Sequence, residues 1–151
     1  MKRLVRHARV LVTDGAKALV FRNEGDAQNA DLKLVRSYAQ DNPPTREQGT
    51  DKPGRTNASG GVNRSSMETP DWHQAAEDQF IIGVAEDMNK DLRAGEFETL
   101  IVVAPPVALG VYRKAVPAAV AKATLAEIDK DLVKHPPKDI AALVIKVLEG
   151  A

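Results

Sequence analysis

Residues 8–22 run Ala8-Arg9-Val10-Leu11-Val12-Thr13-Asp14-Gly15-Ala16-Lys17-Ala18-Leu19-Val20-Phe21-Arg22. Two short runs rich in β-formers flank an Asp-Gly pair. Glycine reaches positive φ without steric cost, and a two-residue turn of this kind matches the twist of antiparallel strands. The stretch predicts a tight hairpin with strands over 8–13 and 16–22. Downstream, residues 31–40 alternate apolar and polar side chains around Leu32 and Leu34, which predicts a third, antiparallel strand. Further on, Leu100-Ile101-Val102-Val103 is a continuous apolar run, the pattern of a parallel strand buried on both faces.

Helical periods occupy the second half. From Pro70, Ala76, Phe80, Val84, Met88 and Leu92 recur every four residues, with Asp71 placed to cap and Gln74 three residues later as in a capping box. This long amphipathic helix ends near Gly95. Pro105-Pro106 opens a helix to about Ala115, because proline is tolerated in a first turn. Pro117 restarts a short helical piece to about Lys122, residues 124–128 form a last strand, and a final helix after Pro136-Pro137 carries Ile140, Leu143, Val144, Val147 and Leu148. The order β-β-β, loop, α-β-α-β-α predicts an α/β fold: one mixed five-stranded sheet in ribonuclease-H-like order, with helices packed on it, in a single domain over residues 1–151.

Residues 41–69 differ in kind. They are full of turn formers and nearly empty of large apolar side chains, and a connection this long is either functional or unstructured. We expect a long mobile loop. It contains Thr45, Arg46, Gln48, Lys52, Arg55, Asn57, Asn63 and Arg64, whose arginines suit paired hydrogen bonds to phosphate or carboxylate. Asp41, Glu47, Asp51 and Glu68 cancel its four cations.

Composition excludes several classes. The 151 residues carry no net charge (21 basic, 21 acidic), which rules out a uniformly basic nucleic-acid sleeve. No cysteine is present, so disulfides, thiolate nucleophiles and cysteine-held metals drop out. The basic start Met1–Arg9 is followed by only a three-residue apolar run, too short for a secretion signal, and the apolar stretch at 100–109 is broken by Pro105-Pro106. A cytoplasmic protein with no membrane span is expected. Charge is uneven: residues 1–22 carry six cations against Asp14 alone, and residues 71–98 carry eight carboxylates against Lys90 and Arg93. The simplest reading is a basic edge strand and a solvated helix face.

Catalytic constellations are thin. A two-metal nuclease needs several carboxylates on neighbouring strands, but Asp14 falls in the hairpin turn, Asp26 and Asp31 in a connection and Asp129 past the last strand. His73, His135 and Ser59, Ser65 and Ser66 lack the strand–turn–helix setting of a nucleophile elbow. Gly60-Gly61 lacks the remaining residues of a phosphate-binding loop. No catalytic, metal or cofactor-binding residue is assigned.

Several stretches carry a resemblance: Val10–Ala18, Asn42-Pro43-Pro44-Thr45-Arg46-Glu47-Gln48-Gly49-Thr50-Asp51-Lys52-Pro53-Gly54-Arg55, Asp71-Trp72-His73, Val102–Pro106 and Asp129–Pro136. Together they resemble the bacterial host-attachment protein family, which implies a role in attachment to host cells and no particular chemistry. The element order is also similar to the middle domain of archaeal and eukaryotic class-1 peptide-chain release factors. That resemblance implies a Gly-Gly-Gln loop ahead of a long helix. Here Gly60-Gly61 takes the corresponding place, and Val62 stands where the glutamine would orient water, which an isopropyl group cannot do. The expectation is a non-catalytic protein that binds a macromolecular partner through Thr45, Arg46, Gln48, Arg55, Gly60, Gly61 and Arg64. The alternatives are a release- or rescue-type factor on ribosome or tRNA and, last, a divalent-metal nuclease.

Overall fold

The structure, a computed structural model, describes residues 2–39 and 71–150. The elements are β1 (Arg9–Thr13), β2 (Lys17–Asn23), β3 (Leu32–Ala39), α1 (Asp71–Arg93), β4 (Leu100–Ala104), α2 (Pro106–Ala115), α3 (Ala118–Ala123), β5 (Thr124–Asp129) and α4 (Pro137–Gly150). The expected α/β architecture is present: a five-stranded sheet of order β3-β2-β1-β4-β5 with helices on both faces.

The hairpin forms for the reasons its sequence supplies. β1 and β2 pair antiparallel with Leu11 opposite Val20. Asp14 Oδ1 accepts the backbone N–H groups of Ala16 and Lys17 at 3.0 and 2.9 Å, and Gly15 sits at φ 96°, where L side chains are disfavoured. Asp14 thus spends its carboxylate closing the turn. On its other side β1 pairs parallel with β4, and β4 with β5. β1 is therefore the seam between an antiparallel meander and a parallel half.

Alternate side chains of the sheet enter two cores. Val10, Val12, Ile101 and Val103 pack with Ile140, Val144 and Leu148 of α4. Leu11, Val20 and Val102 face Ile81, Val84 and Met88 of α1, together with Leu109 and Tyr112 of α2 and Val120 of α3. With both faces covered, β1 and β4 are buried at every position, as a continuous apolar run implies.

The long helix buries a different stripe from the one its four-residue repeat suggests. Ile81, Val84, Ala85 and Met88 are buried, whereas Phe80 and Leu92 are only partly so. A strict step of four advances about 40° beyond a full turn on a helix of 3.6 residues per turn, so the repeat walks off the seam. Gln74 also departs from the capping-box expectation: its amide donates to Asp78 Oδ1 at 2.8 Å, one turn onward. At the other end Gly95, at φ 80°, donates to Leu92 O while Glu96 N–H donates to Asp91 O, a Schellman closure.

The edge-strand reading of the N-terminal cations is corrected. β1 and β2 lie inside the sheet, and β3 and β5 form its edges. Arg9 is only 2 % exposed. Ahead of β1, His7 adopts a left-handed φ of 71° and donates its N–H to Asn23 O at 2.8 Å. The buried Asn23 amide holds this arm by donating to the Leu4 and Val5 carbonyls, and its Oδ1 accepts from Gly25 and Asp31 of the following connection.

Candidate functional site

Residues 40–70 join β3 to α1, so the chain leaves the described structure at Ala39 and re-enters it at Asp71. Ala39 pairs with Lys17, directly after the hairpin turn. The first turns of α1 meet that same turn, since a Cβ added to Gly15 would lie 3.5 Å from Glu77 Oε1. Both attachment points therefore lie at one end of the sheet. The parallel strands β1, β4 and β5 present their carboxyl termini at this end, which is where open α/β sheets place their binding sites.

Behind this end, a charged layer ties β3 to α1. Its placement depends on a bulge. Val20 pairs with Arg36 and Phe21 with Leu34, which leaves Val35 as an extra residue on β3. Leu32 belongs to the α4 core and Tyr38 packs against the α1 core. Were Val35 paired as an ordinary strand residue, with no bulge, period-two alternation would put Leu32, Leu34, Arg36 and Tyr38 on one face.

Arg36 and Tyr38 then reach two carboxylates one helical turn apart. Arg36 Nη1 donates to the Tyr38 hydroxyl at 2.8 Å, and that hydroxyl donates to Asp87 Oδ2 at 2.9 Å. Arg36 Nη2 lies 3.0 Å from Asp91 Oδ2. Burial raises the Tyr38 pKa, and the carboxylate of Asp87 pushes the same way. The Arg36 guanidinium is held still more firmly protonated, chiefly by its bond to the Tyr38 oxygen and then by Asp91.

Asp91 is shared. Arg9 Nη1 donates to its Oδ2 at 2.8 Å, Arg9 Nη2 approaches Glu96 Oε1 at 3.7 Å, and the guanidinium carbon lies 5.5 Å from the Phe97 ring centroid. Arg9 Nε is buried with no hydrogen-bond partner. Sequence reading missed this layer and counted Asp87 and Asp91 as solvated. The available signals were an arginine inside an otherwise apolar strand, and the matched pairs 36/38 and 87/91.

The seven residues expected to contact a partner, Thr45, Arg46, Gln48, Arg55, Gly60, Gly61 and Arg64, lie outside the described residues, as do the loop serines. The backbone of His73 falls in the first turn of α1, and His135 sits exposed before α4. Among the described residues no three His, Asp or Glu side chains converge to hold a metal, and no helix is long and apolar enough to cross a membrane.

Fold and site define an α/β module in which a long polar stretch of sequence joins β3 to α1 at the carboxyl end of the parallel strands. By its match over residues 7–144, the chain belongs to the bacterial archaeo-eukaryotic release factor family, family 12. This bears out the release-factor side of the sequence resemblance; the host-attachment side stays an expectation. Among solved structures, the chain is similar to an archaeal translation termination factor, aRF1, with 11 % identity and a TM-score of 0.48 over 95 % of this chain. It spans only 39 % of that protein's length. No curated protein matches the sequence.

Proposed function

We propose that this protein is a translation-linked factor that binds the ribosome or ribosome-bound tRNA through residues 41–69, and does so without hydrolysing the peptidyl ester. The observation that carries this reading is the family match across residues 7–144. Arg55 and Arg64 offer planar forks for phosphate oxygens, and Gly60-Gly61 allow close backbone approach. Thr45, Arg46 and Gln48 add donors along the same segment. Val62 has no atom with which to orient water, so binding is proposed and ester hydrolysis is not. The common placement of Ala39 and Asp71 supports the reading, because both attachment points of the segment lie at one end of the sheet. On this view the protein works in the cytoplasm, and the host attachment its sequence suggests is a downstream effect on the cell.

The test is co-sedimentation with ribosomes from lysate across a salt series. Binding through phosphates weakens linearly in log–log form, by about 0.7 in slope per single-strand contact, so an Arg55→Ala/Arg64→Ala variant is expected to bind more weakly and to flatten the slope by roughly 1.4. Salt-insensitive capture of a protein partner, with no ribosomes in the pellet, overturns the proposal in favour of an adhesion-type role.

A further inference from the structure

The two contacts between β3 and α1 form a ladder with matched spacing. Tyr38 meets Asp87 and Arg36 meets Asp91, so the strand is read upward as the helix is read downward. Two residues of antiparallel strand advance about 6.8 Å and four residues of helix about 6.0 Å, so both rungs close together only at this one register. Sliding the helix by a turn would offer Asp87 to Arg36 and leave Tyr38 facing Gly83, which has no side chain. The bulge at Val35 turns both donors toward α1.

We propose that Arg36, Tyr38, Asp87 and Asp91 act as a positioning clamp, fixing the register of β3 against α1 and so the relative placement of Ala39 and Asp71, on which partner binding depends. This rests on the translation-linked reading above for its functional half. None of the four is assigned contact with the partner. Arg9 and the two cores hold the fold independently: Arg9 keeps Asp91 as a partner when Arg36 is changed, and Ile81, Val84 and Met88 keep α1 on the sheet. The strand side of the clamp, Arg36 and Tyr38, is therefore separable from folding.

The absence of cysteine makes the test direct. Ser37→Cys and Ala75→Cys, both at exposed positions on the two clamped elements, carry spin labels whose distance distribution is read by pulsed electron resonance. One narrow distribution is expected for the parent, and Arg36→Leu/Tyr38→Phe should at least double its width while far-UV circular dichroism still reports a folded chain. The same variant should lose about tenfold in ribosome co-sedimentation. An unchanged width overturns the proposal, and so does a broadened width with full ribosome binding. If the parent itself does not sediment with ribosomes, the translation-linked reading fails, and the distance measurement alone decides the clamp.

Discussion

Replacing Asp91 with alanine should be among the most damaging single changes at this site. Arg9 lies 98 % inside the protein, its Nη1 bonded to Asp91 at 2.8 Å and its Nε already without a partner. The remaining carboxylate, Glu96, is 3.7 Å away and more than half exposed, so it can recover only part of the loss. A buried charge stripped of its partner costs about 3–5 kcal/mol. Arg36 also loses Asp91, but its side chain is 37 % exposed and water can take over, so that loss is small. We expect Asp91→Ala to destabilise by about 3 kcal/mol, which at a urea m-value of about 2 kcal/mol/M lowers the midpoint by about 1.5 M. Removing both charges, as Arg9→Met/Asp91→Leu, should recover most of this, because well-packed apolar residues often match or exceed a buried ion pair. Urea unfolding with unchanged m-values is the assay. A single-variant loss under 1 kcal/mol, or a double variant as unstable as the single, would show that Arg9 is not a desolvated charge held by Asp91.

Four further outcomes are expected. Tyr112 is fully buried with an unpartnered hydroxyl, so Tyr112→Phe should stabilise by about 1 kcal/mol in thermal or urea unfolding, the lower end of the penalty for an unsatisfied buried group. Burial, and secondarily Glu127, raises the Tyr112 pKa above its ordinary value near 10; between that value and the folded one the native state holds more protons, so stability falls as pH rises past about 10, and Tyr112→Phe should flatten that fall in unfolding measured over pH 9–11. Gly15→Ala forces a side chain into φ 96° and against Glu77 at 3.5 Å, and should cost about 1–2 kcal/mol by the same denaturant assay. Deleting Val35 removes the bulge but leaves Leu34 opposite Phe21 and Arg36 opposite Val20, so Arg36 and Tyr38 should stay on the α1 face and the raised Tyr38 titration should persist; a titration shifted back toward the ordinary tyrosine range would contradict the role given to Val35 as the unpaired residue.

The parts of the fold that were legible in sequence are those fixed by local chemistry. Asp14-Gly15 demands a turn, the apolar run at Leu100–Val103 demands a doubly covered strand, and Gly95 stops the long helix with its own backbone. What was not legible depends on pairing across distance. The extra residue at Val35 exists only relative to Val20 and Phe21, and it inverts the phase of an alternation that looks unbroken along the chain. Arg9 looked like one more surface cation because its partner lies on an element far along the sequence, and Asp87 and Asp91 looked solvated because the helix pattern marks them polar without saying what they face. For the candidate site, sequence named the segment, and the structure shows the end of the sheet from which it leaves.

The seam strand carries a consequence for synthesis. β1 emerges first, yet its parallel neighbour pairs Arg9 with Leu100, so translation at roughly 5–20 residues per second leaves that side open for on the order of 5–20 s. Throughout that interval a fully apolar ribbon, Val10-Leu11-Val12, shows unpaired amides and carbonyls to whatever is nearby. The nascent chain is thus most vulnerable to sticking to its neighbours before β4 arrives, and chaperone dependence should be read from truncated intermediates rather than from the finished protein.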